Sequence, residues 1–141
     1  MQHRTVLITG GSRGIGRAIS LRFAKDEAQV FINFFQNRTA AEKTAEDVAS
    51  LGARVYLHQA DLKDEEQIRR MFNEVQRQFG GLDVLVHSAA TGVLRSVTEL
   101  SAKHWDWVMN TNARSLLLCA REGGAMMHEG GRIISLSSLG S

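Results

Sequence analysis

Eight consecutive residues, Thr9-Gly10-Gly11-Ser12-Arg13-Gly14-Ile15-Gly16, carry the densest chemical signal in the chain. A turn so rich in glycine lets backbone amides come close to a ligand. Set between a strand and a helix, it aims those amides at an anion on the helix N-terminus. The apolar run Val6-Leu7-Ile8 precedes the turn, and Ile15, Ala18, Ile19 and Phe23 follow at helical spacing. The pattern predicts a cradle for a dinucleotide pyrophosphate, the plainer alternative being a glycine-rich turn without a ligand. A mononucleotide P-loop is excluded, because Arg17 and Ala18 stand where Lys and then Ser or Thr are required.

The choice of dinucleotide follows from charge. An NAD site needs Asp or Glu about 20 residues beyond the glycines to hold the ribose 2′-hydroxyl. Here that stretch reads Asn33-Phe34-Phe35-Gln36-Asn37-Arg38, without an acid. Arg13 and Arg38 are positioned in the sequence to receive a 2′-phosphate with charge-assisted, bidentate hydrogen bonds, so NADPH is the expected cofactor. The alternative for each arginine is a solvated surface charge.

The elements that must position these residues alternate along the chain. Residues 5–9, 29–34, 54–58, 82–87 and 131–137 are short apolar strand candidates. Between them run helical stripes: Ala41, Ala45, Val48 and Leu51 closed by Gly52, then Ile68, Met71, Phe72, Val75 and Phe79 closed by Gly80-Gly81. One or two further helices are expected within residues 101–128. Such alternation predicts an α/β fold, a three-layer, doubly wound parallel sheet of Rossmann type with strand order 3-2-1-4-5. Ligands of such sheets bind at the carboxyl ends of the strands, where the motifs fall.

Composition agrees. The 141 residues suffice for one domain, 43% are apolar and 23% charged, and the formal net charge is +2. No block of like charge supports a nucleic-acid or membrane-surface partner, and no apolar run approaches the roughly 18 residues of a membrane span. A single cysteine, Cys119, excludes an internal disulfide and fits a reducing, cytoplasmic setting. His3, His58, His104 and His128 lack partners at metal spacing, and Cys119 and His128 fall on opposite faces of the expected helix, so no metal is expected. Glu65-Glu66 reads as the acidic start of a helix and Asp83 as structural.

The spacing Thr-Gly-x-x-x-Gly-Ile-Gly resembles the short-chain dehydrogenase/reductase family, and other landmarks follow in order over the whole chain. Asp61-Leu62 stands where the family's Asp meets the adenine ring. His87-Ser88-Ala89-Ala90 replaces the usual Asn-Asn-Ala-Gly beside the cofactor, Asn112 matches the catalytic asparagine, and Ser138 the catalytic serine. The resemblance thus implies cofactor contacts at Gly10, Ser12, Arg13, Gly14, Ile15, Gly16, Arg38, Asp61, Leu62, Ser88, Ala89 and Ala90.

Residues 89–95, the Trp105 and Trp107 pair, residues 108–113 and Ser137-Ser138-Leu139-Gly140-Ser141 look like the type III enoyl-acyl-carrier-protein reductases of bacteria. The plainer reading of the tryptophans is core packing shared by several subfamilies. The implied reaction reduces the double bond of an enoyl thioester, carried on acyl carrier protein or coenzyme A, during fatty-acid synthesis. Asn112 would support a helix bend and a water chain, and Ser138 would orient the thioester carbonyl. A homo-oligomer, dimer or tetramer, is implied for the full-length enzyme. The alternatives are a 3-oxoacyl or other carbonyl reductase of the same family, and a dinucleotide-binding module without catalysis.

The family's tyrosine and lysine would follow Ser138. Tyr56, the only tyrosine, belongs to the third strand, and no lysine follows Lys103. The expectation is therefore one NADP-binding domain over residues 1–141, incomplete at its C-terminus, without turnover by itself. Its fifth strand should form an apolar edge through Ile133, Ile134 and Leu136, and Val84, Leu85 and Val86 should lose cover, favouring self-pairing or unfolding.

Overall fold

A computed structural model describes residues 4–138. His3 and residues 139–141 of the last serine-rich motif lie outside them. The elements are β1 (Thr5–Thr9), α1 (Gly14–Lys25), β2 (Gln29–Phe34), α2 (Arg38–Ser50), β3 (Val55–Gln59), α3 (Glu65–Phe79), β4 (Leu82–His87), α4 (Ala102–Met109), α5 (Ser115–Met126) and β5 (Met127–Ser135). A short 3-10 turn (Val97–Glu99) precedes α4, and a π-helical turn (Asn110–Arg114) joins α4 to α5. The strands form one sheet of order β3-β2-β1-β4-β5 in which every pairing is parallel. This is the doubly wound architecture that the sequence predicts.

Helix α3 shows why these residues take these forms. The Asp64 carboxylate accepts from the Glu66 and Gln67 amides at 2.9 and 3.2 Å, capping donors that lack a partner within the helix. Glu65 and Glu66 place negative charge in the first turn, and Gly80, with φ of 78°, ends the helix in the left-handed region. Ile68, Met71, Phe72 and Val75 are buried on one face against Leu7, Phe31 and Leu85. Each such side chain contributes about 1.5–3 kcal/mol of transfer free energy.

Two apolar layers sandwich the sheet. Leu7, Phe31 and Leu85 join α3 and α5 on one face, while Val6, Ile8, Val30, Ile32, Val84 and Val86 pack with α1 and α2 residues on the other. The side-chain alternation of neighbouring strands is thus satisfied in both directions, as a sheet covered on both faces requires.

Three expectations change. The fifth strand begins at Met127 rather than Gly131 and ends at Ser135, with an irregularity in its pairing to β4 between Leu82 and Val84. His128 therefore belongs to a strand and not to a helix, although Cys119 remains buried in α5. Val84, Leu85 and Val86 are buried: Leu85 faces the α3 and α5 layer, and Leu136 and α1 side chains pack with Val84 and Val86. The edge strand is exposed as expected at Ile133 and Ile134, which are 45% and 46% accessible, whereas Leu136 is half-buried.

Candidate functional site

The site is built where the strand order reverses, between the carboxyl ends of β1 and β4. Gly10 has φ of +63° and its Cα lies so close to the next strand's exit that a Cβ would sit 2.8 Å from Ala89 Cα. Gly16 is tighter still, because a Cβ there would stand 2.2 Å from the Gly10 carbonyl oxygen. The turn and the first helical residues are thus folded onto each other, which only glycine permits. Arg13 occupies the N-cap of α1 with extended backbone and, among the described residues, gives no side-chain cap. The first amides of α1 are left for a ligand, and with Gly14, Arg13 and Ile15 exposed the cradle fits a pyrophosphate.

Buried polar residues of β1, β2 and α2 hold this cradle. The buried Thr9 hydroxyl accepts from the amides of Ser88 and Ala89 at 3.1 and 3.2 Å, fixing the exit of β4 to the exit of β1. Asn33, 2% exposed, accepts from the Gly10 amide at 3.5 Å and donates to the Ala60 carbonyl at 3.2 Å, while its own carbonyl accepts from the Gly11 amide at 3.0 Å. Thr44 donates to the Ser12 carbonyl at 2.8 Å, anchoring the middle of the turn to α2. Sequence reasoning missed Thr9, Asn33 and Thr44 as supports. For Thr9 and Asn33 the usable signal was a polar side chain inside an apolar strand, and for Thr44 a hydroxyl between Ala41 and Val48 on the buried stripe of α2; each must find a partner when buried.

Beyond the carboxyl end of β3, Asp61 accepts from the Lys63 amide at 3.0 Å, and its own amide donates to Gln67 at 2.9 Å. Leu62 is buried in the core beside Leu118, so its side chain packs rather than facing the cradle. Arg38, on the first turn of α2, donates to Gln59 at 2.9 Å and lies over the Phe34 ring at 5.3 Å. Arg38 is exposed and directed across the acid-free end of β2, whereas Arg13 stands at the opening of α1.

On the other side, the π-helical turn carries Asn112. Its side chain accepts from the Thr91 amide at 2.9 Å and donates to the Thr91 carbonyl at 2.8 Å. Residues 88–91 are therefore held at one end by Thr9 and at the other by Asn112. Among the described residues the Thr111 hydroxyl is a buried polar group without a hydrogen-bond partner. Ser138 follows β5, is exposed, and leaves the sheet beside residues 88–91 because Ser135 pairs with His87. Tyr56 lies on β3, stacked on Phe31 at 5.3 Å and bonded to Glu74, away from these residues. Burial pushes the Cys119 thiol pKa up to about 12, which disfavours the nucleophilic thiolate near neutral pH. No group of three metal-ligating side chains occurs among the described residues. Nor, among them, is any helix long and apolar enough to cross a membrane.

A parallel sheet reversing beside a glycine cradle at a helix N-terminus defines a dinucleotide-binding fold of Rossmann type. The chain belongs to the short chain dehydrogenase family, whose model matches residues 4–141. It is 37% identical over 135 residues to 1-cyclohexenylcarbonyl-CoA reductase of Streptomyces collinus, covering 96% of this chain and 48% of that protein. It is 33% identical over 138 residues to the 3-oxoacyl-[acyl-carrier-protein] reductase FabG of Staphylococcus aureus, covering 96% and 56%. A short chain dehydrogenase from Burkholderia cenocepacia, solved in complex with NADP, superposes with a TM-score of 0.90 at 36% identity over 98% of this chain and 56% of that one. The chain spans about half the length of the curated relatives it matches.

Proposed function

We propose that residues 1–141 belong to an NADPH-dependent oxidoreductase that reduces the double bond of enoyl thioesters carried on acyl carrier protein or coenzyme A. The observation that carries the dinucleotide reading is the uncapped opening of α1 behind a turn whose Gly10 is folded against Ala89 at the switch point of the sheet. The bound nicotinamide would supply a hydride. The chain's residues bind and orient: the turn from Gly10 to Gly16 takes the pyrophosphate, Asp61 the adenine end, and Ser88, Ala89 and Ala90 the nicotinamide side. Asn112 holds the wall of the site through Thr91, and Ser138 orients the thioester carbonyl by hydrogen bonding. Family resemblance further supports a homo-oligomer as the working form.

The phosphate preference is tested with one variant. Arg13→Ala removes a charge-assisted contact worth about 1.5–3 kcal/mol, so it should weaken NADPH about 10- to 150-fold and leave NADH nearly unchanged in binding titrations. Equal losses for both cofactors would refute the 2′-phosphate assignment.

The resemblance around Trp105 and Trp107 favours an alkene, and the relative named for a cyclohexenylcarbonyl thioester is compatible with it. The relative named for 3-oxoacyl substrates favours a second reading, reduction of a carbonyl. Full-length polypeptide assayed with crotonyl and acetoacetyl thioesters should oxidise NADPH faster with crotonyl. A preference for acetoacetyl transfers the assignment to the carbonyl reading. Both tryptophans are exposed, at 67% and 42%, so packing within the described residues does not account for them.

A further inference from the structure

The exit of β4 carries a buried histidine that none of the foregoing chemistry uses. His87 Nε2 lies 2.7 Å from Ser115 Oγ, at the first residue of α5. In a regular α-helix the Ser115 amide would donate to the carbonyl four residues back, at Thr111. Here it donates to Asn110, five residues back, which frees the Thr111 carbonyl. The Ser115 hydroxyl donates to that carbonyl instead.

A hydroxyl has one proton, and Ser115 gives it to Thr111, so toward His87 its oxygen must accept. This assigns the imidazole tautomer: Nε2 carries the proton and donates to Ser115. Burial lowers the pKa of His87, which keeps the ring neutral near pH 7 and compatible with that assignment. We infer that His87 is a positioning residue: through Ser115 it holds the π-helical turn in place and thereby sets Asn112 against Thr91. An asparagine at this position, as the family resemblance would have it, is too short to place a donor where the imidazole Nε2 stands. The clasp spans strand, hydroxyl, freed carbonyl, turn and finally the segment 88–91.

The inference rests on the dinucleotide reading only in its consequence for affinity; the clasp itself is testable without a ligand. Amide hydrogen exchange at Thr91, whose N–H is bonded to Asn112, reports the end of the chain of contacts. In full-length polypeptide, Ser115→Ala and His87→Leu should speed Thr91 exchange about tenfold, the scale of one lost hydrogen bond, while Leu7 and Phe31 in the central strands stay unchanged. His87→Gln, which places an amide donor near the position of Nε2, should restore most of the protection. Ser115→Ala decides the matter if His87→Leu does not fold. Unchanged Thr91 exchange in Ser115→Ala, or equal acceleration at Thr91, Leu7 and Phe31, overturns the clasp. NADPH titration of the same variants separates the two claims: selective loss at Thr91 with unchanged affinity upholds the clasp and removes its bearing on the dinucleotide. Absent NADPH binding in the unmodified protein refutes the functional reading alone.

Discussion

Gly16→Ala should destabilise the protein by about 3 kcal/mol or more and weaken NADPH binding by at least about 100-fold. The added Cβ would fall 2.2 Å from the Gly10 carbonyl oxygen and within 3.0 Å of Gly11 Cα. These are backbone atoms and cannot swing aside like a flexible side chain. Relief requires α1 to move away from the turn, which opens the cradle and disturbs the layer α1 forms with Val6 and Ile8. A loss of this size is a large fraction of the 5–15 kcal/mol typical of a domain. Gly14→Ala is the matched control. Gly14 has φ of +55° but, among the described residues, nothing within 4 Å of an added Cβ, so only the left-handed backbone strain of about 1–2 kcal/mol applies. Denaturant midpoints and NADPH titration of both variants check the contrast, and equal effects would show that steric contact at Gly16 does not shape the cradle.

Thr9→Val ranks next. Valine keeps the shape of threonine, so core packing survives while the hydroxyl that accepts from Ser88 and Ala89 is lost. Two part-buried amides are left without that partner, and each unpaired amide costs about 1–3 kcal/mol before water reaches it. A destabilisation of about 2–3 kcal/mol is expected, together with roughly tenfold weaker NADPH binding as residues 88–90 lose their register with the glycine turn. Thr9→Ser retains the acceptor and should recover most of both. If Thr9→Val and Thr9→Ser behave alike, the methyl group and not the hydrogen bonds governs the site.

These two positions show different degrees of legibility. Gly16 is visible in the sequence as part of a repeated glycine spacing, because a close backbone approach permits no other residue. Thr9 is visible as the residue that leads into the glycine motif, but not as the clamp on β4. Its role depends on β4, whose exit residues lie far along the chain at 88 and 89. The same holds for Arg38: its type and place beyond an acid-free strand suggest phosphate binding, but its contacts with Gln59 and Phe34 arise from the pairing of β2 with β3.

The sequence by itself determined the order of strands and helices, since hydrophobic period, glycine stops and the acidic Glu65-Glu66 helix start are local signals that act within a few residues. It also determined the place of the glycine cradle and the absence of an acid at the end of β2. Tertiary structure alone decided the start of β5 at Met127 and the burial of Val84 and Val86. It also decided the clamps by Thr9, Asn33 and Thr44, and the π-helical turn that presents Asn112 to Thr91. Each is a long-range hydrogen bond or a packing contact, and its partner is chosen by which strands lie side by side. Residue type states what a side chain can donate or accept; only the closed sheet states to whom.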